Sequence, residues 1–241
     1  MSTAALAIQN QQHRNGRHEV KMIIPVAEVH RLPMWLRTHP SHFSPIYQPR
    51  WINNIYFDSE EMASLTEAIE GESRRLKIRL RWYGELSHFD AAMLEFKCKV
   101  GSVGWKRSWP MSGPFDLRSQ SWRRIVGMIS ADLPVDRRII FQQACRPTLI
   151  NRYWRSYFLS LDQTVRITVD QQLCSWSQSI GRRPNLRHAR AVTGHCVIEF
   201  KALHEHAERL ARVVGELEGR VSKYSKYVAG MVGLTQVDQR W

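Results

Sequence analysis

A chain of 241 residues with 35 Lys and Arg against 22 Asp and Glu carries a net charge of +13, an excess that draws polyanions: nucleic acid, anionic membrane or phosphate-rich small molecules. Hydrophobic residues make up 43% and charged residues 24%, the balance of a soluble globular protein with a proper core. No apolar run approaches the ~20 residues that cross a bilayer, and the scattered Cys98, Cys145, Cys174 and Cys196 form no CxxC pair, which excludes a zinc ribbon or a disulfide framework and makes a reducing, cytoplasmic compartment the expectation.

The first 16 residues read as a polar, mobile tail. "RHEVKMII" (17–24) then puts Val20, Met22 and Ile24 on one side and Arg17, Glu19 and Lys21 on the other, the period-two signature of a strand with one buried face. Helical spacing follows over 26–38, a strand over "RWINNIYFD" (50–58), and a second helix over 59–70. "RRLKIRLRWYG" (74–84) alternates without a break. Leu76, Ile78, Leu80 and Trp82 share one face. Arg75, Lys77, Arg79 and Arg81 form a cationic column on the other, about 7 Å between neighbours. A solvated face usually mixes signs because like neighbours repel; an anionic ligand is the sharper explanation of the column.

"AMLEFKCKV" (92–100) sets Leu94, Phe96 and Cys98 against Glu95, Lys97 and Lys99, and "SVGWKRSW" (102–109) follows as its hairpin partner through Val100-Gly101. A helix is expected over 119–130. "TLINRYWRSYFLSL" (148–161) and "TVRITVDQQL" (164–173) make a second hairpin, turning at Asp162-Gln163. "SQSIGRRPNLRHARAVTG" (177–194) is a basic stretch without periodicity, expected to be a mobile surface insertion. "HCVIEFKA" (195–202) is the eighth strand, and helices are expected over 203–218 and 222–232.

Strand after strand, the polar face carries Lys, Arg and Glu: Glu19 with Lys21, Glu95 with Lys97, Glu199 with Lys201, and Arg166 with Thr168 and Asp170. The expectation is an α+β fold, an eight-stranded antiparallel β-barrel with a charged lumen and apolar faces packed outward on flanking helices. No phosphate loop, GxGxxG or GxSxG is present. "HEHAE" lacks the spacing of a zinc HExxH. The aromatics alternate into the core, which argues against base stacking and nucleic acid.

The ordered series "HEVK", "NIYFD", "RRLKIRLRWYG", "LEFKCK", "RYWRSYF", "VRITVD", "VIEFK" and "SKYSKY" resembles the VTC domain, the catalytic module of the vacuolar transporter chaperone complex, within the CYTH-like triphosphate tunnel metalloenzymes. The resemblance spans about 17 to 230 and implies a single domain over 17–232, followed by a tail over 233–241. It implies transfer of an NTP γ-phosphate, from ATP first, onto polyphosphate in a basic tunnel with Mn²⁺ or Mg²⁺. Triphosphate hydrolysis in the same tunnel is the nearest alternative, and non-catalytic binding of polyphosphate or nucleic acid is another. Lys21, Arg79, Arg81, Glu199 and Lys226 are the implied catalytic set. Lys77, Lys97, Lys106, Arg155, Arg166, Lys201 and Lys223 are the implied substrate contacts. Glu199 is the first metal ligand, with Glu19 and Glu95 as weaker candidates. Anchored relatives have membrane helices, so a membrane-protein partner stays open.

Overall fold

The computed structural model describes residues 17–100, 103–178, 181–191 and 194–238. The expected tail over 1–16, Gly101 of the expected turn, and 239–241 lie outside them. The chain runs β1 (Arg17–Pro25), a 3-10 turn (Val26–Arg31), α1 (Leu32–Thr38), β2 (Ser44–Asp58), α2 (Ala63–Glu70), β3 (Arg74–Tyr83), β4 (His88–Val100) and β5 (Val103–Asp116). Then come α3 (Trp122–Asp132), α4 (Val135–Gln143), β6 (Arg146–Leu159), β7 (Val165–Ser177), β8 (Arg190–Ala191), β9 (His195–Leu203), a 3-10 turn (His204–His206), α5 (Ala207–Gly215), β10 (Arg220–Val221) and α6 (Lys226–Asp238). All eight stretches expected to be strands are strands. The residues expected to form a tail after 232 instead continue α6 as far as Asp238.

The class is α+β, but the closed eight-stranded barrel is not what the hydrogen bonds build. The strands form one ten-stranded sheet in the order β10-β1-β9-β7-β6-β2-β3-β4-β5, with β8 on β7. Among the described residues β10 and β5 do not pair, so the ladder stays open. The reason lies in β10, whose two residues pair only with Met22 and Ile23 of β1.

Helix boundaries follow from capping. Asp58, fully buried, accepts the backbone N–H groups of Ser59, Ser64 and Leu65, satisfying the orphan donors of α2 and starting it later than periodicity suggests. Ser121 accepts from the Arg124 N–H and starts α3. α4 was not expected: Phe141 is its one buried residue, while Val135 and Ile139 are exposed, so no apolar stripe marks it. In the basic stretch before β9, the Gln178 and Asn185 side chains hydrogen-bond to backbone groups among the described residues. No described helix is long and apolar enough to cross a membrane.

The described residues divide into two compact units, the first comprising 17–49, 154–171 and 194–224, the second 50–153, 172–191 and 225–238 where described. In the first, Met22, Ile24, Ile167, Val169, Ile198 and Phe200 pack beneath Leu32, Leu36, Leu210 and Val213 of α1 and α5. In the second, Ile55, Phe57, Ile78, Leu80, Trp82, Leu94 and Phe96 pack against Trp122, Ile125, Ile129 and Phe141 of α3 and α4. Burying each such side chain is worth roughly 1.5–3 kcal/mol. The alternation read from sequence holds in β3: Leu76, Ile78, Leu80 and Trp82 pack in or against the helix-backed core, and Lys77, Arg79 and Arg81 take the other side.

Candidate active site

In the second unit the register stacks the charges in rows. Lys77 stands opposite Lys97, and Lys97 opposite Lys106. One row nearer the turn, Arg79 stands opposite Glu95, and beyond it Arg81 opposite Met93. Three lysines side by side across three strands repel one another, each like pair costing a few tenths to about 1 kcal/mol. Glu95 is a carboxylate within these rows. Glu95, 4% exposed, accepts from Arg79 Nε at 2.5 Å and Lys106 Nζ at 3.0 Å, with Arg81 Nη1 at 3.8 Å. Burial by itself would raise its pKa; Arg79, Arg81 and Lys106 outweigh that and hold it at about 2.

Polar neighbours fix the arginines in place. Arg81 donates from Nε to Asn54 Oδ1 at 3.0 Å and from Nη2 to the Tyr153 hydroxyl at 3.3 Å. Asn54 donates in turn to Asn151 at 2.8 Å. Arg79 Nη1 reaches the Tyr56 hydroxyl at 3.5 Å, and the Tyr56 ring stacks on Tyr227 at 5.0 Å. Tyr227 donates to Asp58 at 2.7 Å and accepts from Thr148, which ties α6 to β2 and β6. α6 brings a further cation: Lys226 Nζ lies 4.8 Å from the centre of the Tyr153 ring, a cation–π distance. Just before α6, the Ser225 hydroxyl accepts from Lys77 Nζ at 3.1 Å.

The first unit has a different polar face, a mosaic of both signs. Glu19 pairs across the ladder with Lys201, and Lys21 with Glu199; Arg166 faces Lys201, and Thr168 faces Glu199. Lys21 lies 3.0 Å from Glu19, and Lys201 lies 3.2 Å from Glu199 and 3.5 Å from Glu19. Arg155 is clamped by Asp170 through two hydrogen bonds of 2.6 and 2.7 Å, with Glu199 3.8 Å away. Bidentate pairing of this kind fixes a guanidinium plane. Asp170, Arg155 and Glu199 are all buried.

Of the residues implied as ligands or contacts, Lys77, Arg79, Arg81, Lys97, Lys106, Glu95 and Lys226 fall in the second unit. Glu19, Lys21, Arg155, Arg166, Glu199, Lys201 and Lys223 fall in the first. Lys97, Lys106, Arg166 and Lys223 are exposed. The positioning residues Asn54, Tyr56, Asn151 and Tyr153 were missed from sequence. Period-two spacing from Arg155 back to Tyr153 and Asn151 was the available signal.

Among the described residues no three His, Cys, Asp or Glu side chains converge as a metal cage. Glu95 and Asp170 are saturated by guanidinium and ammonium donors. Glu199 is held more loosely, with Lys201 at 3.2 Å, Arg155 at 3.8 Å and Lys21 at 3.9 Å, and it is a hard oxygen donor of the kind Mg²⁺ or Mn²⁺ takes when one or two carboxylates share the ion with water and substrate phosphates. On donor chemistry Glu199 fits that mode.

The model of the VTC domain matches residues 16–235. No curated protein matches the chain. Among solved structures, a protein from Pyrococcus horikoshii OT3 aligns over 93% of this chain and 99% of its own at 12% identity and a TM-score of 0.42. A candidate adenylyl cyclase from Hippeastrum with a dominant triphosphatase activity aligns over 89% and 95% at 13% identity and 0.48. A candidate adenylate cyclase from Vibrio parahaemolyticus aligns over 92% and 87% at 12% identity and 0.42.

Proposed function

The chain belongs to the VTC domain family, and from that membership we propose that it is a divalent-metal-dependent phosphotransferase moving the γ-phosphate of an NTP, ATP first, onto polyphosphate. The observation that carries the reading is the Lys77–Lys97–Lys106 row beside Arg79 and Arg81, with Glu95 paired to Arg79, Arg81 and Lys106 among them. A face of like charges is unfavourable when empty and favourable around a multiply charged phosphate chain. Phosphoryl transfer asks little covalent chemistry of a protein; positioning and charge neutralisation supply most of the catalysis.

The roles divide by side-chain chemistry. Arg79 and Arg81, held by Glu95, Asn54, Tyr56 and Tyr153, offer fixed planar donors to phosphate oxygens, and Lys77, Lys97, Lys106 and Lys226 add mobile point charges. Lys21, Arg155, Arg166, Lys201 and Lys223 are proposed as further phosphate contacts, on the family resemblance. Glu199 would hold the Mn²⁺ or Mg²⁺, whose contribution is to neutralise charge developing on phosphate oxygens.

The terminal phosphate of a polyphosphate acceptor is already ionised near neutral pH and needs no base, whereas water benefits from one. Incubating the purified protein with ATP and Mn²⁺ and resolving the products on a gel tests the reading. Chains longer than the input nucleotide's phosphates are expected; free phosphate or pyrophosphate alone would replace polymerisation by hydrolysis, and no turnover with any NTP and either metal would overturn both.

A further inference from the structure

The second unit has a cavity on the opposite side of the sheet from the cation rows. Arg152 alternates along β6 with Asn151 and Tyr153, so it points away from Arg81 and toward the helix-covered side. There it lines a concavity of about 740 Å³ with Arg118, Arg183 and Arg187, within the range that takes a small-molecule ligand. Leu86, Leu117 and Leu186 wall the same space and belong to, or pack on, the hydrophobic core. The wall is therefore anchored.

Four guanidiniums share this cavity with a single carboxylate, Glu85, whose Oε1 is taken up by the Ser87 hydroxyl at 2.8 Å. None of the four arginines forms an ion pair with a described residue. Arg152 lies 4.0 Å above the Trp51 ring centre and donates to the Gly84 carbonyl at 3.3 Å, yet its Nε is buried with no hydrogen-bond partner. A buried donor left unmade is costly. Burial also pushes the Arg152 pKa down, the direction an arriving anion would reverse.

The segment carrying Arg183 and Arg187 is held in advance. Gln178 accepts from the Asn185 N–H at 2.7 Å and donates to the Asn185 carbonyl at 2.9 Å. Asn185 donates to the Ser177 carbonyl, and its Oδ1 accepts from the Arg187 N–H. Trp176 Nε1 donates to the Leu186 carbonyl at 3.1 Å. Preorganisation of this kind lowers the ordering cost of binding.

We propose that this cavity is a second ligand site, one that takes a nucleoside phosphate: the guanidiniums receive the phosphates, and the leucine wall receives the base. Inorganic polyphosphate has no apolar part to set against Leu86, Leu117 and Leu186. A nucleic-acid strand binds along exposed aromatic platforms, and here the Trp51 ring is covered by Arg152.

Titration calorimetry with ADP in EDTA tests the site apart from turnover. In an Arg79→Ala/Arg81→Ala background, which silences the face assigned to transfer, ADP should still bind at one site. Adding Arg183→Ala and Arg187→Ala should weaken that binding at least a hundredfold. If the double-alanine background folds poorly, the wild-type chain reads the same result, since Arg183→Ala/Arg187→Ala should lower ADP stoichiometry from two to one with an unchanged thermal midpoint. Unchanged ADP affinity after loss of Arg183 and Arg187 overturns the proposal. So does tripolyphosphate binding as tightly as ADP in the silenced background, which would mean that no base is read. Displacement of ADP by a single-stranded RNA at lower concentration than by ATP would make this a nucleic-acid surface instead.

Discussion

Replacing Glu95 by Gln keeps the side-chain volume and removes the negative charge paired with Arg79, Arg81 and Lys106. The carboxylate is 4% exposed and touches Arg79 and Lys106 directly. Its pKa is held at about 2 against an ordinary 4.5. A folded-state pKa below the unfolded one means that the stabilisation is fully present above about pH 4.5 and is lost as pH falls toward about 2. At roughly 1.4 kcal/mol per pKa unit, the shift corresponds to about 3 kcal/mol, the lower end of the ~3–5 kcal/mol that breaking a buried ion pair costs. Urea unfolding of wild type and Glu95→Gln should therefore differ by about 3 kcal/mol near neutral pH, and the gap should close steadily below about pH 4.5. The same substitution takes a repelling charge off the anion-binding face, so the variant should bind tripolyphosphate more tightly while being less stable. A stability gap that stays constant from neutral pH down to about pH 3, or tripolyphosphate affinity that falls with the substitution, would refute this account of the rows.

Arg79→Ala and Arg81→Ala should each lower kcat/KM for ATP by about a hundredfold or more, because positioned charge is most of the catalysis; a loss under about tenfold, read from product formation, would detach that residue from the reaction. Glu199→Gln should cut turnover on the order of a hundredfold at saturating Mn²⁺ while metal-free tripolyphosphate binding stays nearly intact. Half the wild-type rate combined with a lower thermal midpoint would reduce Glu199 to an ion-pair partner of Lys201. Asp170→Asn removes the bidentate partner of the buried Arg155 and should cost ~3–5 kcal/mol in urea unfolding; a cost below ~1 kcal/mol would mean that water reaches the guanidinium. Tyr153→Phe removes the hydroxyl accepting from Arg81 but keeps the ring beneath Lys226, so turnover should fall more than ATP affinity does, and equal losses in both would argue against a positioning role.

Alternation along single strands was legible before any fold was known. The pleat of one strand alone decides that Ile78, Leu80 and Trp82 share a side and Lys77, Arg79 and Arg81 the other, whereas β2 and β9 bury both sides over several consecutive residues. Which cation meets which neighbour was not legible. That Lys77 faces Lys97, and Lys97 in turn faces Lys106, while Arg79 faces Glu95 depends on register between strands, and Arg81 finds Tyr153 72 residues further along the chain. Elements without an apolar stripe also escaped: α4 buries Phe141 alone, and the two-residue β8 and β10 are too short to alternate. The open end of the ladder escaped with them. The stretch after β7 looked like a mobile insertion because side-chain to backbone hydrogen bonds from Gln178 and Asn185 leave no trace in hydropathy, and with it went the cavity of Arg152, Arg183 and Arg187. Local periodicity is written by the backbone geometry of each element, and sequence carries it. Contacts between residues distant in the chain exist only once tertiary packing has chosen the partners.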